Sequence, residues 1–286
     1  MNKPDFTLTK NIILVPTDFS EVCGNAVLHA AKLAQFLNTK LVILHIIDEK
    51  TKASLKKKNA GTEYIDQRLN QYKYLHEKNY RISVETMMKE GNIFTSINKV
   101  AANLDAALMV VGTHGKKGLQ YLTGSYILRV ADKSPVPVII VRNRAFHGKY
   151  NKILIPVTDD LHSDKKIAWA RYISRMFTAN MHLYQYFHKD KRLNDRLSGF
   201  MEKITRSFEK DEIPFLVSKA EKETKFSSQV MSYAMSNQCD LIMFIDVNHN
   251  VSSAAWYEGL LFNKEQIPVM TINLARIKKP DSIFAP

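Results

Sequence analysis

Four glycines crowd the stretch after one short apolar run. Gly112, Gly115 and Gly118 follow Leu108–Val111, and Gly124 is followed by Ser125. A run of four apolar residues suits a strand buried on both faces. Glycines directly after such a strand let the backbone turn so that several N–H groups converge on an anion. The start of a following helix adds partial positive charge to the same point. That helix is predicted from Leu122, Ile127 and Val130, and Pro135 and Pro137 bracket the entry to a further strand, Val138–Val141. The chemistry is therefore phosphate recognition by backbone donors. The competing reading is a tight turn with close helix–sheet packing.

A second polar residue is predicted to face the same crevice. Ile12–Val15 is an apolar run closed by Pro16, and Thr17, Asp18, Phe19 and Ser20 make the turn that follows. Open parallel sheets bind ligands beyond the carboxyl ends of their strands, which is where Asp18 falls. The alternative is an aspartate that hydrogen-bonds its own turn. His45, near the end of Leu41–Ile47, is a lone histidine in an apolar run and is assigned no chemistry.

The elements that position these residues follow from periodicity. Ser20 suits an N-cap with Glu21 in the first turn, and Val22, Ala26, Ala30, Leu33 and Leu37 mark one helix face, stopped at Asn38. Lys50–Gly61 reads as a loop whose lysines (Lys50, Lys52, Lys56–Lys58) are solvated. A helix is predicted over Thr62–Lys78, a strand over Ile82–Met88, and a short helix through Ile93, Ile97 and Val100. Five strands and four helices with right-handed crossovers give a flavodoxin-like doubly wound α/β layout.

The chain then repeats itself. A shift of 140 residues lays Asn151–Asp160 over the first strand, with Pro156 on Pro16, Ala170 on Ala30, Ile173 on Leu33 and Phe177 on Leu37. Met181–Tyr186, Leu241–Ile245 and Ile267–Asn273 take the places of later strands. Two domains are predicted, 1–146 and 147–286, joined near Arg144–Lys149. The copies differ where the chemistry lies. After Leu241–Ile245 the second has Asp246-Val-Asn-His-Asn-Val-Ser-Ser, with no glycine before Gly259, and Thr158 stands where Asp18 would be. The second domain is expected to have lost the anion site.

Gly112-Thr-His-Gly115 with Gly124-Ser125, ahead of a Pro-Val-Pro-Val strand, resembles the Gly-x2-Gly-x9-Gly-(Ser/Thr) signature of the universal stress proteins. The spacer Lys116–Thr123 is eight residues here, one short of that pattern. The resemblance implies tandem domains, each a five-stranded parallel sheet of order 3-2-1-4-5 flanked by helices. It also implies ATP or AMP as ligand of the first domain, with magnesium accompanying ATP. The site it implies comprises Pro16, Thr17, Asp18, Ile46, Val111, Gly112, His114, Gly115, Gly124, Ser125, Tyr126 and Ile127. Asp18 and Ile46 would meet the base, the glycines would admit phosphates, and Ser125 would donate to one. The expected role is a non-enzymatic stress-response regulator, with a ligand-free interaction scaffold or a weak ATP hydrolase as alternatives. Family members associate through their last strands, so the copies are expected to pair as an intramolecular pseudo-dimer through Val138–Val141 and Val269–Ile272. The resemblance also leaves room for a homodimer and an unidentified protein partner.

Composition narrows the remaining classes. With 286 residues, 45% hydrophobic and 24% charged, the chain has the make-up of a globular protein able to bury two cores. Its net charge of +13 comes from scattered lysines without zinc-finger or aromatic RNA-binding motifs, so no specific nucleic-acid partner is expected. Cys23 and Cys239, the two cysteines, lack metal-ligand spacing and point to reduced thiols. No window reaches a membrane span, the N-terminus lacks a signal-peptide pattern, and a cytoplasmic location is expected.

Overall fold

Each sheet begins with an apolar strand that a proline closes or nearly closes. In the computed structural model, which describes residues 10–113, 124–158, 162–245, 254–277 and 280, the first is β1, Ile12–Pro16, fully buried from Ile13 onward. Two compact units result, Leu8–Lys149 and Tyr150–Pro286.

In the first unit β1 leads into α1, Glu21–Leu37. The Ser20 hydroxyl accepts from the Cys23 N–H at 3.4 Å, and Asn38 ends the helix in the left-handed region at φ 54°. Both are the predicted caps. The buried face of α1 carries Ala26, Ala30, Ala31 and Ala34, small enough to let the helix lie close on the sheet. β2, Lys40–Ile47, follows. Then come α2, Glu49–Lys57, α3, Glu63–Tyr80, and β3, Val84–Glu90. The unit ends with α4, Ile93–Asn103, β4, Leu108–Gly112, α5, Gly124–Asp132, and β5, Val138–Val141.

Among the described residues the unit has five helices rather than the expected four, because the Lys50–Gly61 loop is largely the helix α2. No residue of α2 is buried, so it shows no apolar stripe from which to read it. Polar contacts hold it instead. Asp48 accepts from the Thr51 N–H at 2.8 Å as N-cap, and Lys52 reaches Glu49 at 3.5 Å and Glu90 at 3.1 Å. β3 is also displaced by two residues from its expected start.

All pairings within the unit are parallel, in the order β3-β2-β1-β4-β5. Ile13 faces Leu41 on one side and Leu108 on the other. Leu41 faces Val84, and Met109 faces Val138.

The second unit runs through nine elements of the same plan, with no counterpart of α2 among the described residues. Its elements are β6 (Lys152–Val157), α6 (Ser163–Phe177), β7 (Asn180–Gln185), α7 (Lys191–Lys210), β8 (Phe215–Lys219), α8 (Phe226–Ser236), β9 (Leu241–Ile245), α9 (Ala254–Leu261) and β10 (Val269–Ile272). Its parallel order, β8-β7-β6-β9-β10, reproduces the first. The repeat holds at the level of register: Ile13 facing Leu41 becomes Ile153 facing Met181, both displaced by the same 140 residues seen in the sequence. The expected fold, two tandem doubly wound α/β domains, is the one found.

Candidate functional site

The carboxyl ends of β1 and β2 open into a cleft in the first unit. Its cavity is about 140 Å³, smaller than the usual small-molecule site. Its lower wall is Pro16, Thr17, Asp18, His45 and Ile46 at the strand ends, with Ile65, Ile93 and Ile97 from α3 and α4. The upper wall is Thr51, Ser54, Leu55 and Lys58 of the α2 segment, with Tyr64 and Arg68 of α3.

Local hydrogen bonds fix the floor. The Thr17 N–H continues the sheet by donating to Leu44 O at 2.8 Å. Thr17 Oγ1 accepts from the Phe19 N–H at 3.0 Å, and Asp18 Oδ1 accepts from the Ser20 N–H at 2.9 Å. The self-bonding turn that competed with a ligand role for Asp18 is therefore present, and it uses one carboxylate oxygen. Phe19 sits at φ 63°, a strained conformation for a residue with a Cβ. Its ring stacks on His45 at 4.7 Å.

His45 is a satisfied structural histidine on one side only. Nδ1 donates to Thr17 O at 2.8 Å, which leaves Nε2 as an acceptor, and Nε2 is buried without a partner. Burial pushes the imidazole pKa down, with the Thr17 bond opposing the shift, so the ring is neutral. Beneath the turn, burial and then the Asp18 carboxylate push the Cys23 thiol up to about 12. A protonated, buried thiol is a poor nucleophile.

Of the residues expected at the site, Pro16, Thr17, Asp18 and Ile46 are brought together in this cleft. Val111 and Gly112 end β4 and are not among its described lining residues. Gly112 has a packing role: a Cβ there would stand 2.7 Å from Val22 O and 3.2 Å from Cys23 N, both backbone atoms of α1. Ile127 is 1% exposed, a core residue of α5. Gly124, Ser125 and Tyr126 form the first turn of α5. His114 and Gly115 lie outside the described residues, as does the second-unit stretch 246–250 that replaces the glycine loop.

Several lining residues escaped the sequence reading: Phe19, Asp48, Thr51, Lys58, Tyr64 and Arg68. Only Asp48 carried a usable signal, as a cap residue three places before the Thr51 N–H it binds. Thr51 and Lys58 belong to the α2 segment, within the stretch expected as a loop, Tyr64 and Arg68 to α3, and Phe19 to the turn after β1.

The corresponding cleft of the second unit is lined by Ile155, Pro156, Val157, Thr158, Lys166, Phe200, Ile204 and Ile245. It offers about 30 Å³ counted the same way. Phe200 and Ile204 on the buried face of α7 help to fill it. Among the described residues of the chain, no three His, Cys, Asp or Glu side chains gather as metal ligands, and no helix is long and apolar enough to cross a membrane.

A parallel sheet with helices on both faces and a cleft at its strand ends places the chain in the doubly wound α/β class, in which ligands bind beyond the strands' carboxyl ends. Residues 10–142 match the universal stress protein family. Two universal stress proteins of Methanocaldococcus jannaschii are 28% identical over 138 residues and 27% identical over 156 residues. Each match covers 46% of this chain, and 81% and 94% of the respective relative. The two-unit length also has a solved counterpart. A universal stress protein from Archaeoglobus fulgidus superposes with a TM-score of 0.68 at 15% identity, over 93% of this chain and 99% of its own. A functionally unknown protein of Pseudomonas aeruginosa PAO1 superposes with a TM-score of 0.58 at 17% identity, over 96% of this chain and 94% of its own. These two likenesses extend the shared fold across both units.

Proposed function

We propose that the chain is a non-enzymatic stress-response regulator that binds one adenine nucleotide, ATP or AMP, in its first unit. The observation that carries this reading is the cleft at the ends of β1 and β2, where Asp18 and Ile46 stand together beneath polar residues of α2 and α3. The base would lie against Ile46 with its edge toward Asp18. A magnesium ion would enter only with ATP, held chiefly by the phosphates. The smaller second cleft supports one site per chain, and the domain limits 1–146 and 147–286 belong to the same proposal. So does pairing of the two copies through their last strands, which engineered cysteine cross-links between Val138–Val141 and Val269–Ile272 would test.

Calorimetric titration of the whole chain with ATP and AMP, beside a product-release assay, tests the function. Binding at one equivalent without turnover is expected. Release of ADP at a rate matching catalysis would move the protein to the hydrolase reading. A ligand-free scaffold is the second reading, favoured by Phe19 stacked on His45 within the cleft and by the packing role of Gly112. The absence of heat with either nucleotide would establish it over the first.

A further inference from the structure

The cleft of the first unit has a cavity of about 140 Å³, where small-molecule sites usually start at roughly 300 Å³. Several of its walls are fixed. Pro16 and Ile46 sit in sheet register at the ends of β1 and β2, and Ile65 and Ile97 are buried core residues of α3 and α4. Phe19 is held differently. It lines the same space from the turn after β1, and it is half-buried.

At φ 63° Phe19 occupies the left-handed region, which is costly for a residue with a Cβ and persists only where the surroundings impose it. Asn38, Arg81 and Thr178 adopt that region as helix C-caps, whereas Phe19 precedes a helix and ends none. Its contacts are aromatic and cationic. The ring stacks on His45 at 4.7 Å between centroids and 23° between planes. The Arg68 guanidinium lies 4.3 Å from the ring centroid, and Tyr72 stands nearly parallel to the ring at 6.0 Å. Arg68 also donates to Phe19 O at 3.5 Å, and the Phe19 N–H donates to Thr17 Oγ1 at 3.0 Å. Imidazole and guanidinium planes are surfaces on which proteins also stack unpaired nucleic-acid bases.

We infer that the Phe19 ring occupies the stacking position of the ligand's base, and that the base enters by displacing it. This rests on the nucleotide reading above and adds the residue that controls entry to the base subsite. Asp18 precedes Phe19 and Ile46 follows His45, so the position borders on both residues assigned to the base. The assignment of the phosphates to Gly115, Gly124 and Ser125 is untouched. Because Phe19 is half-buried and sits in a turn, its ring can leave toward solvent without opening the core, and its departure frees the backbone from the left-handed region. The ligand must carry a planar aromatic base, since a sugar phosphate alone cannot replace the contacts with His45 and Arg68. Apparent affinity is then reduced by the fraction of molecules that hold the ring in place.

The test titrates the full-length chain with ATP, AMP and ribose 5-phosphate by calorimetry, for the wild type, Phe19→Gly and Phe19→Leu, with melting curves for each. Phe19→Gly removes the ring and suits the left-handed backbone. ATP and AMP are expected to bind it at least about tenfold more tightly, as when the ring is displaced in about one wild-type molecule in ten or fewer. Phe19→Leu keeps bulk but loses the stacking faces and should fall between. Ribose 5-phosphate should gain nothing in either variant. A second measurement uses the wild type alone: nuclear Overhauser contacts between the Phe19 and His45 rings should give way, as AMP is added, to contacts between adenine protons and His45. If Phe19→Gly fails to melt cooperatively, Phe19→Leu and these contacts decide. Nucleotide binding that is unchanged or weaker in the variants, or Phe19–His45 contacts that persist at saturating AMP, overturns this inference and leaves the nucleotide reading standing. No heat with ATP or AMP from the wild type or from either folded variant overturns both.

Discussion

Replacing Gly112 by alanine separates packing from phosphate clearance at the end of β4. An ideal Cβ there would stand 2.7 Å from Val22 O, 3.0 Å from Val22 C and 3.2 Å from Cys23 N. All three are backbone atoms in the first turn of α1, so no side-chain rotation relieves the clash. Ordinary carbon–oxygen contact requires roughly half an ångström more, and α1 must move off the sheet or tilt to give it. Overpacking of this kind costs about 1–3 kcal/mol, against which the stiffer unfolded chain returns about 0.4–1 kcal/mol. For a unit of this size about 3 °C of melting temperature is lost per kcal/mol, so a drop of up to about 8 °C is expected. Gly199, in α7, is the control: nothing lies within 4 Å of its would-be Cβ. Its alanine variant should raise stability by about 0.5–1 kcal/mol through helix propensity. Scanning calorimetry of the full chain reads both. A Gly112→Ala protein that melts at or above the wild-type temperature would refute the packing argument and return Gly112 to the ligand.

Other expectations follow from the same structure. Gly115→Val should abolish nucleotide binding with little effect on folding, while changes at Asp246 or His249 should leave affinity unaltered, as calorimetric stoichiometry near one would confirm. Burial, aided by the Lys32 ammonium, holds the His29 imidazole down at about 3, so the unfolded chain takes up this proton first as pH falls below about 6.5. Stability should therefore decline from about pH 6.5 toward pH 3, and His29→Leu should flatten that decline in urea melts taken at pH 7 and pH 4.5. Burial pushes both Cys23 and Cys239 up to about 12. A disulfide reagent at neutral pH should then modify neither until the chain is unfolded, and one fast equivalent of native thiol would contradict this.

The frame of the fold was legible because its determinants are local and periodic. Apolar runs at Ile12–Val15, Leu41–Ile47 and Leu108–Val111, the cap at Ser20 and the stop at Asn38 all act within a few residues. The 140-residue repeat survives as strand register, since a slip of one position would turn every core residue outward. The upper wall of the cleft was illegible for the converse reason. Helix α2 buries nothing, so its residues are constrained by one cap and by Lys52 contacts that reach Glu90 on another element. Phe19 could not be placed by pattern either, because its position depends on a left-handed backbone at φ 63° and on stacking against a residue 26 positions later. Asp18 lines the cleft and also bonds its own turn, so both readings of it, turn former and cleft wall, describe the same carboxylate.

The two units then show how one fold can keep its frame while its cleft changes character. Strand order and register are preserved, because they are set by buried aliphatic residues that any substitution must respect. The cleft is under no such constraint. In the first unit the helix after β2 is short, exposed and lysine-rich, and Asp18 meets the space below it. In the second, α7 follows β7, as the element between the second and third strands of its sheet. It turns a buried apolar face, Leu197, Phe200, Met201, Ile204 and Phe208, onto the protein. Two of those side chains line the space that remains. Thr158 supplies a hydroxyl where Asp18 supplies a charge. Filling the second cleft with apolar side chains adds burial at about 25 cal/mol per Å², whereas keeping the first open forgoes that contribution. The open cleft of the first unit is therefore the costlier of the two to maintain.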